Sequence, residues 1–76
     1  MRRPDEIPAT DDIWPEWIDL VDALVFEALH FHLEKFAQGD EVWRIAVHRY
    51  HYGQKAPAAA TDLIMHLRTR GYGHAR

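Results

Sequence analysis

Apolar residues recur three or four positions apart along most of the chain, and strict alternation over several residues is absent. That spacing predicts helices and no strands. The longest such stretch, 14–38 (WPEWIDLVDALVFEALHFHLEKFAQ), predicts one helix of about seven turns at 3.6 residues per turn. Place Trp17 at zero on a helical wheel. Trp17, Ala28, Val21, Val25, Ile18, Phe36, Leu29, Leu33 and Phe26 then span one side, to roughly 180°. Leu20, Phe31 and Leu24 extend the arc backwards to roughly 300°. An ordinary surface helix carries a stripe nearer 100° wide. Only Asp19, Ala23, Glu27, His30 and Glu34 make a wet strip. A helix this apolar has to be covered from more than one side.

Punctuation divides the remainder. Thr10, Asp11 and Asp12 are candidates to cap the first helix, and Pro15 suits a first turn where its missing N–H is not needed. Gly39 is placed to end that helix, and Asp40 to cap a second over 41–52. Val42, Trp43, Ala46, Val47 and Tyr50 share one face of the second helix, and Gly53 ends it. Pro57 opens a third helix running to about Arg70, with Ala60, Leu63, Ile64 and Leu67 as its core stripe and Gly71 as its stop. The expected architecture is all-α: a single three-helix domain over 12–71, one long helix and two shorter ones, between a flexible tail at 1–11 and a frayed tail at 72–76.

Length sharpens this picture. Seventy-six residues without cysteine bury only about 60% of the unfolded surface, and no disulfide or thiolate metal site is available to add stability. Self-association is a physical remedy for such a chain. The acids that interrupt 14–38 predict no membrane span, and Met1-Arg2-Arg3-Pro4 leads into acids rather than an apolar run, so no signal peptide is expected and the cytoplasm is the default compartment. Arginine outnumbers lysine seven to two, which together with frequent Ala and Asp points to a high-GC bacterial or phage source. Residues 1–38 carry nine acids and three bases; 39–76 carry three acids and six bases. The net charge of −3 lacks the basic footprint usual for a nucleic-acid binder.

Several constellations are chemically suggestive. Glu27-Ala28-Leu29-His30, followed by Glu34, resembles one half of the carboxylate–histidine motif of ferritin-like di-iron bundles, in which such pairs face carboxylates on other helices. The resemblance covers four residues, and the second helix offers only Glu41 as a matching acid. His48 and His51 add two imidazoles on one face of the second helix. The plainer reading of Glu27, His30, Glu34, His48 and His51 is solvated surface, so no metal and no cofactor is expected. Asp22 and His32 are the polar residues inside the apolar arc. Ten residues apart, they stand about 15 Å from each other along one helix, too far to pair there; an antiparallel dimer would bring His32 of one chain to Asp22 of the other. The second and third helices have a turn compatible with helix-turn-helix geometry. Yet the positions expected to face solvent at the start of the third, Ala58, Thr61, Asp62 and Met65, include no side chain able to read a base edge with two hydrogen bonds. Arg44, His48, Arg49, His51 and Lys55 remain as a phosphate-contacting face. The six histidines carry the formal charge from −3 to +3 if all protonate, across the range of an ordinary imidazole, about 6.5. There is no serine or cysteine nucleophile, so no catalysis is expected.

The leading expectation is a protein–protein interaction module that self-associates through the apolar surplus of the first helix. Its expected anchors are Trp14, Trp17, Leu20, Leu24 and Phe31, with Asp22 and His32 pairing across the interface. Two other classes stay open. One is a small, phage-encoded regulator that binds a host protein, its strip of Asp19, Glu27 and Glu34 meeting a basic surface. The other is a nucleic-acid-binding regulator using the basic face of the second helix.

Overall fold

The computed structural model describes residues 7–73. Its helices are α1 (Trp14–Leu29), α2 (Glu41–His51) and α3 (Ala56–Thr69), with a single 3-10 turn at Leu33–Lys35 between the first two. The all-α, three-helix expectation holds, and among the described residues there is no strand.

α3 is the centre of the fold. It packs along α1 and against α2, whereas α1 and α2 barely touch. The reason lies in its side chains. Ala56, Ala59 and Ala60 are buried beside Leu63 and Leu67, and Ala46 is buried on α2. Small residues at helix contacts let the axes approach closely, and interaxial distance follows side-chain size. Val21, Val25 and Leu29 of α1 and Val42 of α2 complete the core with Leu33 and Phe36.

α2 starts as expected: Asp40 Oδ1 accepts the Val42 N–H at 3.0 Å, supplying one of the partners that the first turn lacks. α1 starts differently. Its N-cap is Ile13, without a side-chain cap; Asp11 instead accepts a hydrogen bond from the Tyr50 hydroxyl at 3.3 Å. Within the expected tail, Pro8 is fully buried, and residues 1–6 lie outside those described. At the other end Tyr72 packs edge-on against Phe31 and Phe36. Gly73 lies so close to Leu29 that a Cβ there would run into the leucine side chain; residues 74–76 lie outside the description.

The largest departure is the length of the first helix. It ends at Leu29, nine residues before the expected Gln38. His30 adopts the left-handed conformation, φ 67° and ψ 31°, and its N–H bonds back to the Phe26 carbonyl at 2.7 Å. Histidine is among the non-glycine residues enriched in that conformation. The chain then turns over, and Leu33 and Phe36 return to the core from the opposite direction. Gly39, expected as the helix stop, sits in the later turn before Asp40 and has no positive φ.

Candidate functional site

The early end of α1 decides the fate of Asp22 and His32. Within one continuous helix they could not meet. Once the chain reverses at His30 they do: His32 Nδ1 donates to Asp22 Oδ2 at 2.7 Å, and the Leu33 N–H donates to Asp22 Oδ1 at 2.6 Å. One carboxylate therefore caps the 3-10 turn and holds the ring beside it. Phe26 supports that ring from α1, stacked at 4.5 Å with an interplanar angle of 10°. The pairing expected across a dimer is thus made inside one chain, a correction whose cause is the turn at His30.

This latch forms one wall of a cleft. α1 and α2 lean separately on α3, and the gap between them is closed at one end by the 3-10 turn. The cleft has a volume of about 330 Å³ and is lined by Ile18, Asp19, Asp22, His32, Leu33, Glu34 and Trp43. Trp43 is held in place because its Nε1–H donates to the Phe36 carbonyl at 3.0 Å. Ile18, Leu33 and Trp43 supply apolar lining, and Asp19 and Glu34 are exposed carboxylates. α1 carries Glu16, Asp19, Asp22 and Glu27 and no lysine or arginine.

The expected interface anchors divide into two groups. Trp14 is buried and stacks on Trp17, centroids 5.6 Å apart, and both meet Tyr50 edge-on. Trp17 also donates its Nε1–H to the Gln54 carbonyl at 2.9 Å. Phe31 packs edge-on against Phe36 and Tyr72, with the Lys35 ammonium 5.1 Å from its ring centre. Trp14, Trp17 and Phe31 are therefore parts of this chain's own packing. Leu24 is half-buried against the core. Leu20 stays 48% exposed and Ile13 66%.

The basic face of the second helix is partly engaged. Arg44 pairs with Glu41 at 3.3 Å, and Arg49 Nε donates to Asp62 Oδ2 at 2.9 Å. His48 is half-buried; His51 and Lys55 are exposed. Asp62 was expected to face solvent, but it turns to α2, where Gln54 also donates to it at 3.2 Å. The Arg49 guanidinium, and then the Gln54 amide, hold the Asp62 carboxyl below the usual carboxylate range. Asp40 is lowered in the same way by Arg70, whose Nη1 donates to Oδ1 at 2.8 Å, and by its bond from the Val42 N–H. Burial, reinforced by Asp11, pushes the Tyr50 phenol up.

The metal candidates fall at opposite ends. His48 and His51 belong to the end of α2 where Tyr50 meets Trp14 and Trp17. Glu27 and His30 stand at the far end of α1. Among the described residues no group of three or more histidine, aspartate or glutamate side chains is arranged to hold a metal ion. His66 was missed as a polar feature of the interior: its Nε2 is buried without a hydrogen-bond partner among the described residues. The cleft itself was also missed. The only signal for it in the sequence was Asp22, an acid inside an otherwise apolar arc, whose partner depends on a chain reversal that periodicity does not register. No helix among the described residues is long and apolar enough to cross a membrane. No family model matches the chain, and neither a curated protein nor a solved structure is detectably similar to it.

Proposed function

We propose that this chain is a small helical protein–protein interaction module that self-associates weakly through the outer flank of α1. The observation that supports this reading is the exposure of Ile13 and Leu20 on one flank of α1; the other exposed large apolar residues, Phe26, Tyr52 and Met65, lie on another face of α1, after α2 and on α3. At about 100° per residue these two and the half-buried Leu24 fall within roughly 40° of one another, so they form one stripe along the helix.

Magnitude sets the strength. Burying a whole leucine or isoleucine side chain is worth about 1.5–3 kcal/mol. The partly exposed stripe contributes less per residue, roughly 4–8 kcal/mol over two chains. Association costs about 4–15 kcal/mol in lost freedom and side-chain ordering. A stable interface usually covers about 800 Å² on each partner, more than this stripe provides now that Trp14, Trp17 and Phe31 pack internally. Glu16 and Glu27 border the stripe, and in a dimer they would face like charges. The dimer is therefore a high-concentration species.

Light scattering on a sizing column, run over a concentration series, tests this. A monomer is expected at low micromolar concentration, with mass rising above roughly a few hundred micromolar. Leu20→Asp is expected to remain monomeric throughout. A wild-type monomer at the highest concentration, or a dimer that survives Leu20→Asp, contradicts the proposal.

A further inference from the structure

We infer that the cleft between α1, the 3-10 turn and α2 binds an arginine side chain presented by an exposed segment of another protein. The cleft is a separate surface from the Leu20 flank, and this inference does not depend on self-association. Three features define its occupant.

Volume comes first. About 330 Å³ lies at the small end of ligand pockets, which run from about 300 to 1,000 Å³. That suits one long side chain rather than a large cofactor.

Charge comes second. Asp19 and Glu34 border the cleft, and among the described residues neither has an ion-pair partner within 4.0 Å. The bases that could have neutralised them are engaged elsewhere: Arg44 with Glu41, Arg49 with Asp62, and Arg70 with Asp40. Lys35 lies over the Phe31 and Tyr72 rings. Asp22 stands in the same wall, but both its oxygens already accept hydrogen bonds, one of them from the His32 ring. An anionic ligand would be repelled and a neutral one would leave the carboxylates unmatched.

The lining comes third. Ile18, Leu33 and the Trp43 ring suit an aliphatic stem whose charged head reaches the carboxylates. A guanidinium satisfies both parts best. It stacks on aromatic rings and forks carboxylates with two N–H groups, whereas an ammonium is a compact and strongly hydrated point charge. The walls are already fixed by the Asp22 latch and the Trp43–Phe36 hydrogen bond, so little ordering remains for the ligand to impose.

The test is an NMR titration of the 15N-labelled chain at low micromolar concentration, below the range in which self-association is expected. The probe is the blocked tripeptide acetyl-Leu-Arg-Leu-amide, in about 0.1 M salt to screen non-specific attraction. Saturable shifts are expected at the Asp19, Asp22 and Glu34 amides and at the Trp43 indole N–H. The citrulline analogue, equal in shape and uncharged, is expected to bind about tenfold more weakly. The exposed double variant Asp19→Asn/Glu34→Gln should lose affinity to a similar degree while keeping a folded spectrum. Equal binding of the citrulline peptide, undiminished binding by the double variant, or shifts confined to the Leu20 flank would each overturn the inference. A lysine peptide that binds as tightly as the arginine one overturns the guanidinium assignment. Leu20→Asp should leave the arginine response unchanged, which separates this result from the self-association test.

Discussion

The two ends of α1 are held in opposite ways. At the amino end, Trp14 and Trp17 stack on each other and against Tyr50, an apolar assembly in which hydrogen bonds from Trp17 and Tyr50 serve mainly to satisfy polar edges. At the carboxyl end the helix stops at a left-handed His30, and a single carboxylate, Asp22, gathers the returning chain through His32 and Leu33. Apolar packing tolerates many arrangements of similar volume. A carboxylate that accepts two specific donors fixes one path. The first end fastens the fold where α1 meets α2. The second gives it the shape of its cleft.

Breaking the amino end should have the largest effect. Trp14→Ala removes a buried indole from its contacts with Trp17 and Tyr50 and is expected to cost about 3–5 kcal/mol. That is a large part of the stability of a domain this small. Urea denaturation followed by circular dichroism measures it, and a loss below about 1 kcal/mol would mean the stack is not part of the core.

At the carboxyl end, Asp22→Ala leaves the Leu33 N–H and the His32 ring without their acceptor. The expected loss is about 1–3 kcal/mol. Hydrogen exchange gives the sharper reading: the Leu33 amide should lose its protection while amides in the middle of α3 slow down or speed up only with the global stability. Uniform acceleration across the chain would show that Asp22 supports the whole fold rather than the turn. Asp40→Ala removes the cap of α2 and the partner of Arg70 together; it should cost at least about 1 kcal/mol and leave the cleft untouched.

Acid offers a milder probe. Asp40 and Asp62 titrate below their ordinary value in the folded chain because Arg70 and Arg49 stabilise their charged forms. Unfolded aspartate titrates near 3.9. A folded value below the unfolded one means the contribution is fully present above that pH and is lost as pH falls through the folded values. Thermal melts should therefore change little from this source down to about pH 5 and fall progressively below pH 4. Arg49→Met should reduce that acid sensitivity, because it removes the guanidinium that lowers Asp62. The smallest expected effect is that of Leu20→Asp on stability, within about 0.5 kcal/mol, despite its effect on association.

The same contrast explains what could be read from the sequence. The identity of the helices, the cap at Asp40, the stops at Gly53 and Gly71, and the core stripes of α2 and α3 all follow from local chemistry and period, and they stand in the structure. The path after Leu29 does not. Phe31, Leu33 and Phe36 continue the apolar arc of an ideal helix, so periodicity alone favours extension. The alternative wins through tertiary contacts. The reversed segment buries Leu33 and Phe36 in the same core, builds the Phe31–Phe36–Tyr72 cluster and satisfies Asp22. Of the anchors expected for self-association, only Phe31 belongs to this segment; Trp14 and Trp17 are taken up by packing at the amino end of α1. Asp22 and His32 were recognised as needing each other, but a partner in the same chain required a bend that no glycine or proline marks.

The most direct test of that account is the set of backbone carbon chemical shifts across residues 28–38. The reversal requires helical shifts that stop at Leu29, a left-handed signature at His30 and a protected Leu33 amide that depends on Asp22. Unbroken helical shifts from Trp14 to Gln38, with the Leu33 amide insensitive to Asp22→Ala, would contradict the reversal, the latch and the cleft together.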